Sequence, residues 1–205
     1  MKKNKAQKNW LNKRRKDIFF NQSKILGYRS RSAFKLIEMN EKFKFLNKNT
    51  NVLDLGSSPG GWSQVLKNKI STGTIVAVDI KPMQKIDKVI FLQEDLKNPF
   101  IHEEIISYFN KKIDLVISDI AANTTGNKNL DSYRTGELCL KSMDLAKKVL
   151  HQEGIFLSKI FMGSIFEEIH EKANKYFKKV IKYKPKSSKK ESKEIYIYCK
   201  GILKV

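Results

Sequence analysis

Short apolar runs alternate with longer segments of helical periodicity through most of the chain. Five of the apolar runs have the length and composition of buried strands, at 52–55, 74–79, 89–92, 113–119 and 154–159. Four segments have helical spacing, beginning near Ser32 and near Trp62 and spanning 131–150 and 164–176. Because strands and helices alternate and the central strands are apolar throughout, the pattern predicts an α/β fold. Its sheet is mostly parallel and is covered by helices on both faces.

The two ends of the chain depart from this alternation. Two more strands are predicted near 178–183 and 194–200, with only the polar loop 184–193 between them. Strands joined in this way pair antiparallel, so the predicted sheet has seven strands and an antiparallel last strand. At the other end, residues 1–26 show no clear periodicity, which predicts a basic arm that becomes ordered only on its partner. Residues 27–205 are predicted to form a single domain.

Composition removes several classes of protein. A chain of 205 residues, 40% of them hydrophobic, suits one domain with one core. Its two cysteines, Cys139 and Cys199, are far apart, which argues against a disulfide-stapled secreted domain and against a Cys/His zinc site. No metal site is predicted. No run of about 18 apolar residues exists, and the start of the chain lacks the apolar core of a secretory signal, so no membrane segment is expected.

The formal net charge of +20 is concentrated at the two ends of the chain. Residues 1–35 carry 12 basic groups and one acidic group, and residues 172–205 carry 12 basic groups and two acidic groups. The stretch between them has 17 basic and 18 acidic groups and is nearly neutral. A general coding bias toward lysine would raise the charge everywhere. The uneven distribution therefore indicates that both ends contact a polyanion, of which nucleic acid is the first candidate.

Candidate ligand-binding residues follow the predicted strands. Ligands of open parallel sheets bind beyond the carboxyl ends of the strands, and Gly56, Asp79, Asp95, Asp119 and Lys159 lie at or just past such ends. An acid after a strand can instead cap a helix or form a turn. Five such residues at one edge favour a site over that alternative.

The loop after the first strand points to an adenosyl ligand. Residues 56–61 read Gly-Ser-Ser-Pro-Gly-Gly, which is neither Gly-x-Gly-x-x-Gly nor a P-loop and argues against a nicotinamide-dependent oxidoreductase. Asp79 follows Gly56 by 23 residues, a distance that suits an acid binding ribose hydroxyls. S-adenosylmethionine is an adenosyl ligand without a pyrophosphate, and Asp119 would complement its sulfonium. Alternatively, the glycines only let strand and helix pack closely.

Lys159 ends an apolar strand, where an amine is costly to bury unless it is paired. A lysine held at a ligand site can orient a hydroxyl group or accept its proton, whereas one that extends to solvent has no such role. The residues alone do not assign a role to Glu194 or Lys35. Glu194 could form a simple surface ion pair, and Lys35 could lie on a solvated helix face.

Four segments resemble motifs of the FtsJ/RrmJ family of RNA ribose 2'-O-methyltransferases. They are Arg-Ser-Arg-Ser-Ala-Phe-Lys-Leu at 29–36, Asp-Leu-Gly-Ser-Ser-Pro-Gly-Gly-Trp-Ser-Gln at 54–64, Ser-Asp-Ile-Ala at 118–121 and Ser-Lys-Glu-Ile-Tyr at 192–196. The resemblance runs from about 27 to 201. One departure is Ala122, where the family usually has proline. Loss of the proline could loosen this loop, although none of the side chains that the family uses for catalysis is missing.

The resemblance implies a Rossmann-like S-adenosylmethionine-dependent methyltransferase fold and a set of site residues. The implied catalytic tetrad is Lys35, Asp119, Lys159 and Glu194. The predicted cofactor contacts are Gly56, Gly60, Gly61, Trp62, Asp79, Asp95, Leu96 and Asp119. The predicted RNA contacts, chosen from the two basic ends, are Arg29, Arg31, Lys35, Lys186, Lys189, Lys190 and Lys193.

The resemblance also implies a substrate. The expected reaction is 2'-O-methylation of a uridine ribose in the A-loop of 23S ribosomal RNA, on the assembled 50S subunit. The expected protein is a cytoplasmic monomer whose partner is the large ribosomal subunit. A tRNA or messenger-cap substrate, a non-catalytic role in ribosome assembly and a mitochondrial location stay open. The lysine-rich start, poor in serine and arginine, is a poor transit peptide.

Overall fold

The computed structural model describes residues 17–122, 125–163 and 165–203. The helices are α1 Ile18–Ile25, α2 Ser32–Phe43, α3 Gly61–Lys69, α4 Ile101–Ser107, α5 Lys128–Val149 and α6 Phe166–Tyr176. The strands are β1 Val52–Leu55, β2 Ile75–Val78, β3 Ile90–Leu92, β4 Ile113–Ser118, β5 Leu150–Phe161, β6 Phe177–Tyr183 and β7 Glu194–Ile202. In the part of the chain that is described, no helix has the length and apolar character needed to span a membrane.

The seven strands form one sheet in the order β3-β2-β1-β4-β5-β7-β6. Strands β1 to β5 are parallel, and β7 is antiparallel to both of its neighbours, β5 and β6. The α/β prediction, with a mostly parallel sheet and an antiparallel last strand, is confirmed. The chain order does not show in advance that β7 lies inside the sheet and β6 at its edge.

Helices cover both faces of the sheet, which explains why the central strands are apolar on both sides. Every residue of β1 and of β2 is buried. Leu53 and Leu55 of β1 pack in one apolar cluster with α4, α5 and α6. Val52 packs on the opposite face with residues of α2 and α3, among them Trp62. Two buried faces leave no room for the polar alternation of a half-exposed strand.

A helix occupies the described part of the predicted arm. The N-terminal stretch was expected to be without regular structure, but α1 forms there, with the Asp17 side chain accepting a hydrogen bond from the Phe20 amide at 3.1 Å. Tertiary contacts hold this short helix: the Phe19 ring packs on Phe34 at 5.5 Å, and Asp17 pairs with Arg31. Eight residues are too few for a helix to be stable by itself, so its sequence pattern is weak. Residues 1–16 lie outside the described part of the chain.

Two other elements differ from the prediction. Helix α4 was missed because it has only seven residues. Strand β5 begins at Leu150 rather than near 154, and a register shift separates its first pair with β4 from the rest. Strand β5 also continues to Phe161, so Lys159 lies within the strand rather than at its end.

Candidate active site

The loop between β1 and α3 approaches two neighbouring segments closely. Gly56 has a φ of 74°, and a Cβ atom there would lie 2.4 Å from the Cγ1 of Ile120. Gly60 has a φ of 109°, and its Cβ would lie 2.9 Å from Nη1 of Arg29. Both positions therefore require glycine for conformation and for space. Gly61 is buried, and a Cβ atom there would clash with the Ser30 hydroxyl, so this position requires glycine for space alone.

A cavity of about 380 Å³ opens beside this loop, at the carboxyl ends of β1, β2, β3 and β4. Five of the predicted cofactor residues line it: Gly56, Asp79, Asp95, Leu96 and Asp119. Trp62 lines a second cavity of about 240 Å³, which also reaches Gly56 and Asp119, together with Lys35. Gly60 and Gly61, which were also predicted to contact the cofactor, line neither of these two cavities.

Backbone amides orient the acid that follows β2. The Asp79 carboxylate accepts hydrogen bonds from the Ser58 amide at 2.9 Å and from the Lys81 amide at 2.8 Å. It thereby ties the glycine loop to its own turn. Each carboxylate oxygen retains a lone pair for a ligand hydroxyl, because an ionised carboxylate accepts about four hydrogen bonds.

Two ion pairs bring the four predicted catalytic residues together. Nζ of Lys159 lies 3.0 Å from Oδ1 of Asp119 and donates to the Asp119 carbonyl oxygen at 2.6 Å. Nζ of Lys35 lies 2.6 Å from Oε1 of Glu194. Both lysines and Glu194 are more than nine-tenths buried. Neither lysine extends to solvent, so the alternatives of a snorkelling Lys159 and a solvated Lys35 are wrong.

Tyr196 joins the two pairs, although sequence reasoning did not single it out. Its hydroxyl donates to Oδ1 of Asp119 at 2.8 Å, and the Lys35 ammonium lies 5.7 Å from its ring centre. The antiparallel register places Tyr196 directly opposite Lys159. The tyrosine that ends the 192–196 motif was the available signal, but which face of β7 it occupies depends on the register.

Charge and burial set the protonation of this cluster. Burial by itself would raise the pKa of Asp119, but the Lys159 and Lys35 charges outweigh it and hold that pKa below its ordinary value. Burial, and then the Asp119 and Glu194 charges, raise the pKa of Tyr196 well above its ordinary value. At neutral pH, Asp119 is thus a carboxylate and Tyr196 a neutral donor to it.

A further carboxyl group lies beneath the glycine loop. Asp54 of β1 is 1% exposed and accepts a hydrogen bond from the Ser63 hydroxyl at 2.6 Å. Burial, opposed by the Ser63 bond and reinforced by Asp119 and Asp79, raises its pKa to about 7. Asp54 belongs to the 54–64 motif, but its raised pKa could not be predicted from the sequence, because burial causes it and the motif does not show which side chains are buried.

Apart from Lys35, which is buried in its ion pair with Glu194, the predicted RNA contacts divide into two groups. The lysines of the 184–193 loop, Lys186, Lys189, Lys190 and Lys193, are exposed. The two arginines instead make contacts within the fold. Arg29 donates to the carbonyls of Pro59, Gln84 and Lys85, while Arg31 pairs with Asp17 and donates to the Ser187 carbonyl. Their RNA contacts stay predictions.

Ala122, which stands where the family usually has proline, is held by the body of the domain. Its amide donates to Oγ1 of Thr135 on α5 at 3.2 Å. Proline has no amide hydrogen and could not make this bond. The bond tethers the loop that was expected to loosen.

The fold and these residues define a class of protein. A doubly covered parallel sheet, with a glycine loop after β1 and acids at the edge formed by β2, β3 and β4, is a Rossmann-like α/β domain with a nucleotide-type site at that edge. Comparison with known proteins identifies the family within this class. The model of FtsJ-like methyltransferases matches residues 28–202, and the chain belongs to this family.

Relatives and solved structures agree with this assignment. The chain is 48% identical to Ribosomal RNA large subunit methyltransferase E of Pelagibacter ubique, over 98% of each chain. It is 40% identical to the protein of the same name from Ehrlichia chaffeensis, over 95% of this chain and 93% of that one. A Plasmodium falciparum crystal structure described as a ribosomal RNA methyltransferase shares 33% identity with a TM-score of 0.76, covering 86% of this chain and 99% of that one.

Proposed function

We propose that this protein is an S-adenosylmethionine-dependent RNA ribose 2'-O-methyltransferase that acts on the RNA of the large ribosomal subunit. The observation that carries the proposal is the buried Lys159 amine, fixed by Asp119 at the edge of the cavity beside the glycine loop. The names of the relatives support the substrate class. The finer proposal is a uridine ribose of the A-loop in the assembled subunit, methylated in the cytoplasm by a monomer.

The residues present fit the proposed cofactor. The cavity volume of about 380 Å³ lies in the ordinary range for small-molecule sites. Asp79 and Asp95 would hold hydroxyl and amine groups of the adenosyl moiety, which would contact the backbone of Gly56 where that residue lines the cavity. The ionised Asp119 would complement a sulfonium. When bound, S-adenosylmethionine supplies an electrophilic methyl group on that sulfonium.

Lys159 is the proposed group that orients the acceptor hydroxyl or receives its proton. As an ammonium, Lys159 has three N–H donors; the carbonyl oxygen and Oδ1 of Asp119 accept two of them, and the third would orient the ribose 2'-oxygen. As a neutral amine, it would keep two N–H donors for the same two oxygens, and its lone pair would take the proton of the 2'-hydroxyl. Asp119 fixes the amine, and Tyr196 fixes Asp119. Such fixed positioning is where most of the catalysis of an in-line transfer would arise.

The Lys35–Glu194 pair is proposed to place the target ribose, with the lysine-bearing loop binding the flanking phosphates. Lys35 and Arg31 line the second cavity, which reaches the same Asp119. Cations at that position suit the phosphates that flank a ribose. Phosphate contacts position the RNA without reading its sequence, so the target nucleotide must be determined by experiment.

The test uses radiolabelled S-adenosylmethionine and large ribosomal subunits from a strain that lacks its own enzyme, with label mapped by a ribose-methylation readout. Lys159→Ala should lower turnover at least about a hundredfold, as expected for loss of a proton-transfer group. Cofactor binding, measured calorimetrically, should persist and shows that the variant is folded. Lys178→Ala, which removes an exposed lysine paired with Glu153, is the charge-matched control and should retain full activity.

Label on one A-loop uridine would support the proposal in full. Label on tRNA or cap substrates alone would support the 2'-O-methyltransferase activity but show that the ribosomal substrate is wrong. Full activity in Lys159→Ala would overturn the role of this lysine. A wild-type protein that binds no cofactor would favour an assembly role without catalysis.

A further inference from the structure

One carboxylate fastens the lysine-bearing loop to the rest of the domain. Glu38 lies on α2, three residues after Lys35. Its Oε1 accepts hydrogen bonds from the Tyr183 hydroxyl at 2.7 Å and from the Lys186 amide at 2.6 Å. Its Oε2 accepts from the Ser187 amide at 3.0 Å and from the Ser187 hydroxyl at 3.1 Å. These four donors use the full accepting capacity of a carboxylate.

The same loop also contacts the catalytic cluster. The Ser188 hydroxyl donates to Oε1 of Glu194 at 2.8 Å, the oxygen that pairs with Lys35. Ser187 and Ser188 are 1% and 6% exposed, so the middle of this hydrophilic loop is buried. Consecutive loop residues thus bind Glu38 on one side and Glu194 on the other, and both partners connect to helix α2.

The anchoring leaves the positive charge of the loop available. Glu38 binds backbone amides and hydroxyls rather than ammonium groups. None of the salt bridges found among the described residues involves the four exposed lysines of the loop, Lys186, Lys189, Lys190 and Lys193. Four hydrogen bonds hold the pKa of Glu38 below its ordinary value, although burial opposes them. The carboxylate is therefore charged at neutral pH.

We propose that Glu38 is a positioning residue for the RNA substrate: it holds the 184–193 loop so that its lysines face the RNA while Ser188 stays on Glu194. This proposal rests on the proposed function. A negative charge near a polyanion site weakens binding by electrostatics alone. Glu38 is inferred to strengthen RNA binding instead. Because it orders the loop before RNA arrives, the loop loses less conformational entropy on binding.

Glu38→Gln tests this inference, with Glu41→Gln as the matched control. Glu41 is exposed on the same helix, and both substitutions raise the net charge by one. In Glu38→Gln an NH2 group replaces one carboxylate oxygen, and in either orientation of the amide it faces a backbone amide and a hydroxyl that donated to that oxygen. Filter binding of in vitro transcribed large-subunit rRNA should show a Kd about tenfold higher than wild type, since only the fraction of protein with an ordered loop binds well. Glu41→Gln should bind as wild type or slightly more tightly.

Two further readouts separate positioning from a general loss of structure. Trypsin should cleave the 184–193 loop faster in Glu38→Gln than in wild type, while cleavage at other sites stays at the wild-type rate. The affinity of Glu38→Gln for S-adenosylmethionine should match that of wild type. An unchanged or lower Kd for rRNA would overturn the proposal, because charge alone would then govern binding. A parallel loss of cofactor affinity would also overturn it. Failure of the proposed function is distinct: the wild-type protein itself would then show no rRNA binding or methyl transfer.

Discussion

Removing the buried Asp54 carboxyl tests the electrostatics beneath the glycine loop. Asp54 is 1% exposed, and its pKa is raised from 3.8 to about 7 in the fold, chiefly by burial. The folded protein therefore binds this proton more tightly than the unfolded chain does. Stability is highest below the unfolded pKa and falls as pH rises toward the folded one. At 1.36 kcal/mol per pKa unit, the loss by about pH 8 is roughly 4 kcal/mol.

Asp54→Asn should remove this loss while keeping an oxygen acceptor for the Ser63 hydroxyl. The free energy of unfolding of Asp54→Asn should equal that of wild type at about pH 4. It should exceed the wild-type value by roughly 4 kcal/mol at about pH 8. Urea unfolding followed by tryptophan fluorescence across this range measures the difference. Asp87→Asn, at an exposed position, provides the control and should show no such trend. A difference for Asp54→Asn that is constant with pH would refute the reasoning.

Two further predictions concern the basic residues. Arg29→Ala removes the guanidinium that joins the glycine loop to residues 84–85, so S-adenosylmethionine affinity should fall about tenfold in calorimetry. The predicted RNA contact of Arg29 requires that rRNA affinity fall as well; an rRNA affinity equal to that of wild type would contradict that contact and leave Arg29 a role at the glycine loop alone. Replacing Lys189 and Lys190 with alanine should make rRNA binding less sensitive to salt. The negative slope of log association constant against log salt concentration should become shallower by about 1.5. An unchanged slope would mean that these lysines lie off the RNA path.

Hydrophobic patterning predicted the parallel core of the fold well. Strands β1, β2 and β4 are buried on both faces, and such short apolar runs between loops have few alternatives. Helix α1 could not be predicted in the same way, because its stability comes from Asp17, Phe19 and their partners on or near α2. Contacts between distant segments leave little periodic signal in eight residues.

The candidate site shows the same division. Asp119 follows β4 and Lys159 lies near the carboxyl end of β5, which is parallel to β4, so topology alone brings them to one edge. Lys35 and Glu194 belong to a helix and to an antiparallel strand, and only the family resemblance connected them before the structure. Glu38 carried no signal of its own, because an acid on a helix is most often a solvated side chain. Its contacts with the 184–193 loop and with Tyr183 became visible only as four hydrogen bonds to residues about 150 positions away.

The strand order also governs when the site can form during synthesis. Strand β7 is made after β6 but lies between β5 and β6, so β6 is joined to the sheet only through β7. Until residues 194–202 have emerged from the ribosome, Lys35 lacks Glu194 and Asp119 lacks Tyr196. The nascent domain also exposes the unpaired edge of β5, which is a template for wrong pairing. Assembly of the cluster and protection of that edge are thus a single late event, completed by the last strand.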